Sequence, residues 1–99
     1  MLDKNNLKTG DYVIVNDIVR MGLGFHEGMN KPMKYMRLWT SKTFGIGEYI
    51  PLFPKEELKI IKMPEYVNGV MVAEIEDGDR NIGYVYWCEL RASCNKIKE

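Results

Sequence analysis

Cysteine and histidine are scarce in this chain, and their scarcity removes several kinds of site. The 99 residues include one histidine, His26, and two cysteines, Cys88 and Cys94, which are six positions apart. That spacing matches neither a redox C-x-x-C pair nor half of a zinc ribbon. A nucleophilic enzyme needs a nucleophile, a base and a group that orients the base, and His26 beside Glu27 in a glycine-flanked stretch supplies little of this. The sequence therefore predicts no enzyme, no metal site and no cofactor.

The chain also lacks a net charge and long apolar runs. Lysine plus arginine equals aspartate plus glutamate, at 14 each, so no strong overall field draws the protein to nucleic acid or to an anionic membrane. No segment approaches the roughly 18 consecutive apolar residues of a membrane span, and the opening residues show no signal-peptide apolar run. We therefore expect a protein without a membrane partner, acting in the cytoplasm of its own cell or of a host.

What the chain does contain is a series of short apolar runs separated by glycine, proline, asparagine and aspartate. Such runs favour strands over helices. Residues 70–76 and 82–88 are joined by "DGDRN", which is typical of a β-hairpin, and Met71, Ala73 and Ile75 should face the core. The runs predict a mainly β fold of five or six short antiparallel strands with at most one short helical turn.

Two further segments are expected to lack regular structure. Residues 19–33 contain four glycine or proline residues and predict a long loop. The end of the chain, "RASCNKIKE", predicts a polar C-terminal tail at 93–99 that frays. Residues 1–92 then form a single β-barrel-like domain, and Trp87 and Cys88 belong to its core as part of the strand at 82–88.

The two ends of the chain resemble a known group of folds. In "LKTGDYVIV" a Gly-Asp turn begins a hydrophobic strand, and in "GYVYWCEL" an aromatic pair precedes an acidic residue and leucine. Both segments resemble strands of small SH3-like β-barrels, a group that includes KOW, Tudor-like and many phage-encoded small barrels. The resemblance implies an SH3-like barrel that binds peptides, proteins or nucleic acid and seldom catalyses a reaction.

The stretch "GFHEGMNKPMKYMRLW" at residues 24–39 contains the candidate binding residues. In a strand, alternate side chains lie on opposite faces, so one face of residues 34–40 should carry Tyr35, Arg37 and Trp39 and the other Met36 and Leu38. Methionines adapt to partners at binding surfaces. We therefore predict a partner-binding site that consists of Phe25, His26, Met33, Lys34, Tyr35, Arg37 and Trp39. In the plainer alternative, Trp39 packs in the core and the neighbouring lysines form a solvated rim.

The same stretch suggests a second kind of partner. Residues 31–42 contain four basic residues and no acidic residue: Lys31, Lys34, Arg37 and Lys42. Basic groups can follow a phosphate backbone while aromatic rings stack on bases. The alternative function is therefore binding of RNA or single-stranded DNA through residues 31–42.

Our main functional prediction is non-enzymatic binding of a protein partner through the loop 22–34 and the strand 35–39. Lysine outnumbers arginine ten to four, and isoleucine and asparagine are frequent, as in proteins from AT-rich genomes. One specific form of the prediction is therefore a phage or mobile-element inhibitor of a bacterial defence system. The sequence leaves open a homodimer and a small nucleotide ligand at a dimer interface.

Overall fold

The computed structural model describes residues 2–21, 31–40 and 47–97 and confirms the prediction of a mainly β fold. The described residues contain nine strands: β1 (Tyr12–Val15), β2 (Val19–Met21), β3 (Lys31–Met33), β4 (Met36–Trp39), β5 (Tyr49–Leu52), β6 (Glu57–Val67), β7 (Val70–Glu76), β8 (Ile82–Tyr86) and β9 (Cys94–Lys96). They also contain one helix, α1 (Trp87–Ser93), and a 3-10 turn (Lys4–Asn6). The strand number exceeds the expected five or six because segments predicted as loop and tail also pair.

Seven strands form one antiparallel sheet in the order β5-β4-β8-β7-β6-β1-β9, which curls into a half-barrel. The long strand β6 shows two shifts of register against β7, between Ile60 and Lys62 and between Lys62 and Glu65. Such irregularities bend a strand and increase its twist, and they accommodate the buried Pro64, which cannot donate to the ladder. The bent β6 thus contributes to the curl of the sheet.

The inner face of the sheet carries the hydrophobic core. Alternation along the strands places fully buried side chains on this face, among them Val13, Leu38, Leu58, Ile60, Ala73, Ile75 and Val85. Burying a single large aliphatic side chain contributes roughly 1.5–3 kcal/mol. The core is therefore assembled from strands far apart in sequence.

The predicted hairpin is confirmed. β7 pairs with β8 from Val72 opposite Tyr86 to Glu76 opposite Ile82, and Ala73 and Ile75 face the core with Met71 packed against it. The loop is closed by the buried carboxylate of Asp77. Its Oδ1 accepts the backbone N–H groups of residues 79 and 81 at 2.9 and 2.8 Å, and its Oδ2 accepts the side-chain amide of residue 81 at 3.0 Å.

The structure corrects the prediction for the end of the strand at 82–88. β8 ends at Tyr86, and Trp87 and Cys88 begin α1. Trp87 is buried as expected, whereas Cys88 is exposed. The buried Trp87 and Leu90 of α1 are three positions apart and therefore lie on one side of the helix. This side of α1 packs in the core, and tertiary packing of this kind can override the β propensity of tryptophan.

The structure also corrects the predictions for residues 19–33 and 93–99. β2 and β3 pair in a separate two-stranded sheet, with Val19 opposite Met33, so residues 19–21 and 31–33 are strands rather than loop; residues 22–30 lie outside the described residues. Cys94–Lys96 pair with β1 as the edge strand β9 rather than forming a frayed tail. Both pairings involve three-residue strands, which are too short to show a clear alternation in the sequence.

The close contact between β8 and β4 at Gly83 gives a first prediction. A Cβ at this position would lie 2.5 Å from the Trp39 carbonyl oxygen and 3.0 Å from Leu38 Cδ1. Because the nearer atom is backbone, Gly83→Ala should lower the free energy of unfolding by about 2 kcal/mol or more, measured by urea denaturation. The matched control is Gly78→Ala, where a Cβ would meet nothing within 4 Å. Equal urea midpoints for the two variants would contradict the packing described here.

The two cysteines should differ in reactivity. Cys88 is exposed as a residue, but partial burial of its thiol raises the pKa of that thiol. Cys94 is fully buried, and burial raises its pKa to about 12. Since the thiolate is the nucleophile, N-ethylmaleimide at mildly alkaline pH should label the folded protein once, slowly and at Cys88. Mass spectrometry should show a second label only in denaturant, and Cys88→Ser should prevent labelling of the folded protein. Labelling of folded Cys94 would show that the β1–β9 edge opens.

Candidate functional site: an aromatic patch on the outer face of the sheet

Strand β4 separates its side chains between the two faces of the sheet, as the sequence predicts. Met36 and Leu38 are fully buried in the core. Arg37 and Trp39 lie on the opposite, outer face, and Tyr35 precedes them with the same alternation. The outer face of β4 is therefore the part of the predicted site that the structure assembles.

Strand β5 brings two further aromatic rings to this face. Trp39 is opposite Tyr49 and Arg37 is opposite Pro51, and residues directly opposite each other share a face. The ring of Tyr35 stacks on that of Tyr49 at a centroid distance of 6.0 Å and meets the edge of Phe53 at 5.8 Å. We call Tyr35, Tyr49 and Phe53 the aromatic patch.

The ring of Trp39 lies beneath the aromatic patch. Its centroid is 5.2 Å from that of Tyr49 and 6.3 Å from that of Tyr86 on β8. Only 3% of Trp39 is exposed, against 40% of Tyr49 and 50% of Phe53. Trp39 is therefore covered by its neighbours on the outer face and supports the patch from below. It does not belong to the hydrophobic core cluster that includes Trp87 and Leu90 of α1.

Arg37 joins this face to the helix. Its Nη2 donates to Glu89 Oε2 at 2.8 Å, and its Cζ lies 5.1 Å from the centroid of the Trp39 ring. The side chain of Arg37 is 20% exposed and that of Glu89 is 2% exposed. The guanidinium is thus held by a carboxylate and by an aromatic face, and its charge is neutralised within the fold.

Two N–H groups of this cluster have no acceptor among the described residues. Arg37 Nε and Trp39 Nε1 are both buried and make no hydrogen bond. Buried polar groups in native proteins are nearly always bonded, so each exception needs an explanation. At these two donors the cluster lacks a hydrogen-bond acceptor among the described residues.

The titratable groups of the patch are phenols. A hydrogen bond of 2.9 Å with the Tyr49 hydroxyl raises the pKa of Tyr35 above its ordinary value, and burial raises the pKa of Tyr86. Both phenols are neutral at physiological pH and can donate or accept hydrogen bonds. In the described part of the chain, no group of three metal-ligating side chains comes together, and no helix is long and apolar enough to cross a membrane.

The predicted site residues have different outcomes. Phe25, His26 and Lys42 lie outside the described residues. Tyr35, Arg37 and Trp39 come together, whereas Met33 is half-buried at the end of β3 and Lys34 is exposed at the edge of the patch. Trp39 is nearly fully buried, and the partly exposed side chain of Arg37 is paired with Glu89.

Sequence reasoning missed Tyr49, Phe53 and Glu89. Tyr49 and Phe53 are four residues apart on one face of an extended segment, so their alternation was a usable signal. Glu89 gave no such signal, because its role depends on a helix that turns it toward a strand about fifty residues earlier in the chain.

Breaking the ion pair tests its contribution to stability. Arg37→Met leaves the buried Glu89 carboxylate without the guanidinium, and we expect a loss of about 3 kcal/mol in the free energy of unfolding, measured by urea denaturation. The double variant Arg37→Met/Glu89→Leu removes both charges and should recover at least half of that loss. As a control, Lys96→Met removes an exposed partner of Asp11 and should cost under about 1 kcal/mol. A double variant no more stable than Arg37→Met would contradict the pairing.

In comparisons with known proteins, the chain matches no protein-family model, no curated protein and no solved structure. The resemblance of the chain ends to SH3-like barrels stays a prediction. The functional proposal therefore rests on the aromatic patch and on the contacts beneath it.

Proposed function

We propose that the protein is a non-enzymatic protein-binding module whose contact surface is the aromatic patch. The observation that carries the proposal is the contact of three partly exposed rings, Tyr35, Tyr49 and Phe53, on one face of neighbouring strands. Aromatic residues are enriched at protein interfaces and dominate their binding energy. Contiguous exposed apolar surface of this kind is typical of an interaction site.

The rings are held in place before any partner arrives. Tyr35 and Tyr49 stack and share a hydrogen bond between their hydroxyls, and Trp39 supports Tyr49 from below. Tyrosine and phenylalanine have few rotatable bonds, so their immobilisation on binding costs little entropy. A preorganised surface of this kind retains more of its contact energy as affinity.

The position of the patch favours contact through side chains rather than through backbone pairing. β5 is an edge strand, and an edge can recruit a further strand from another chain. Pro51 lies in the middle of β5 and has no N–H to donate to such a strand. A partner is therefore expected to pack on the rings.

The chemistry of the patch supports a non-enzymatic role. The hydrogen bond to Tyr49 raises the pKa of Tyr35, and Arg37 is paired with Glu89, so neither Tyr35 nor Arg37 is a general base near neutral pH. Inhibition of a bacterial defence protein is one specific form of the proposal, and its support is the amino-acid usage alone.

The nucleic-acid alternative has weaker support. Of the four basic residues at 31–42, Arg37 is bound to Glu89 and largely buried, and Lys34 is exposed. Affinity for a phosphate backbone grows with the number of phosphates neutralised, and a bound arginine contributes little to that number. The exposed rings of Tyr49 and Phe53 could still stack on bases.

The proposal is tested by capture with matched baits. Three proteins are immobilised as baits: the wild type, the patch variant Tyr49→Ser/Phe53→Ser and the control Tyr66→Ser. Tyr66 is a suitable control because it is 73% exposed on β6, away from the patch. We expect a host protein that binds the wild type and the control and whose affinity falls about 30-fold or more for the patch variant. A partner retained equally by all three baits would contradict the assignment of the surface.

Fluorescence anisotropy with labelled single-stranded RNA and DNA at low salt tests the alternative. Binding at tens of micromolar protein that weakens with salt, with a log-log slope of roughly −2 to −3, would favour the nucleic-acid function over the proposal. Absence of binding under these conditions would remove the alternative.

A further inference from the structure

The tip of the β6–β7 hairpin extends beyond the strands that flank its base. In the described part of the chain, β1 pairs with β6 at residues 57–59 and β8 pairs with β7 at residues 72–76. Residues 66–71 lie beyond both of these neighbours, where Tyr66 pairs with Met71 and Val67 with Val70. A two-stranded ribbon is only marginally stable by itself, so the tip opens locally at lower cost than the rest of the sheet.

The tip is closed by a two-residue turn, Asn68 and Gly69. Both residues are exposed, and their φ angles are 51° and 82°. Positive φ at both central residues, with Val67 opposite Val70, is the geometry of a type I′ turn, for which Asn-Gly is a preferred pair. The turn therefore holds an asparagine side chain and the following glycine amide at the most exposed end of the hairpin.

An asparagine followed by glycine carries both reactants of an intramolecular reaction. The backbone nitrogen of the glycine can attack the side-chain carbonyl carbon of the asparagine and close a five-membered succinimide ring. Glycine has no Cβ to hinder this approach, and no other group lies within 4 Å of where a Cβ at Gly69 would be. Asn68–Gly69 is the single Asn-Gly pair in the sequence, so this reactivity is confined to one position.

We infer that Asn68 is a site of spontaneous covalent modification, at which the folded protein converts with time to a mixture of isoaspartate and aspartate forms. The Gly69 nitrogen forms a bond to Asn68 Cγ, the Cγ–Nδ2 bond breaks, and Nδ2 leaves as ammonia with the proton of the Gly69 N–H. One water molecule then opens the succinimide. Hydrolysis at Cγ gives aspartate, and hydrolysis at the backbone carbonyl carbon gives isoaspartate.

The isoaspartate form changes the hairpin tip. Its backbone runs through the former side chain and adds one carbon atom to a turn whose length and type fix the register of the two strands. The pairing of Val67 with Val70 should therefore be lost. The ladder from Val72 to Glu76 is also paired with β8, so the change should stop at the base of the tip and leave the rest of the sheet intact.

The β7–β8 hairpin contains the related pair Asp77–Gly78, which the structure protects. The same ring closure there would expel water from the carboxyl group of Asp77. That residue is 6% exposed, and both of its carboxylate oxygens accept hydrogen bonds from residues 79 and 81. Turning the carboxyl group toward the Gly78 nitrogen breaks these bonds in a buried setting, which is costly. The two hairpin loops should therefore differ in reactivity.

The test is incubation of the full chain at mildly alkaline pH in water enriched in oxygen-18, followed by digestion in ordinary water and mass spectrometry. The fragment that contains residue 68 should lose one nitrogen and gain one oxygen-18, and residue 77 should take up none. The rate should be within about tenfold of that of the free hexapeptide acetyl-Tyr-Val-Asn-Gly-Val-Met-amide, because local opening of the tip costs little free energy.

The matched control is Asn68→Gly, because Gly-Gly also suits a type I′ turn and offers no side-chain carbonyl. This variant should take up no oxygen-18 at the tip. A folded protein in which Asn68 is unchanged after the free peptide has converted would overturn the inference, since the turn would then protect it. Conversion of another asparagine at the same rate would also overturn it. Neither result bears on the proposed function, which the capture experiment judges separately.

Discussion

The ion pair between Arg37 and Glu89 is the interaction on which the outer face of the sheet depends. It joins β4, at one end of the sheet, to α1, which follows β8. A nearly buried carboxylate requires a nearby cation, so the pair fixes both the position of α1 and the orientation of the guanidinium. That guanidinium in turn lies over Trp39, and Trp39 supports Tyr49. The exposed rings are thus placed by a contact that begins in the helix.

A second polar contact holds α1 from its other end. Ser93 Oγ accepts the backbone N–H of Arg20 at 2.9 Å and donates to its carbonyl oxygen at 3.2 Å. Glu89 and Ser93 are four residues apart and therefore lie on the same side of the helix. Through them α1 contacts both β4 and the β2–β3 pair, while Trp87 and Leu90 bury its apolar side in the core. A helix of seven residues is marginal by itself, and its stability here comes from these tertiary contacts.

The outer face combines exposed rings, which favour association with another chain, with a proline that limits backbone pairing. Exposed rings on an edge strand favour association, and Pro51 in that strand limits backbone pairing with another chain. The face also retains two buried donors that carry a cost in stability. Natural proteins keep such local costs at functional sites.

The sequence by itself determined the features that depend on local alternation: the mainly β fold, the β7–β8 hairpin with Ala73 and Ile75 inward, and the division of residues 35–39 into a core face and a face bearing Tyr35, Arg37 and Trp39. Only the tertiary structure decided where α1 begins, that Cys94–Lys96 join the sheet, and that Tyr49, Phe53 and Glu89 complete the site. The reason is physical. Alternation is a property of neighbouring residues and can be read from the chain, whereas strand pairing and ion pairing depend on which distant segments the curled sheet brings together.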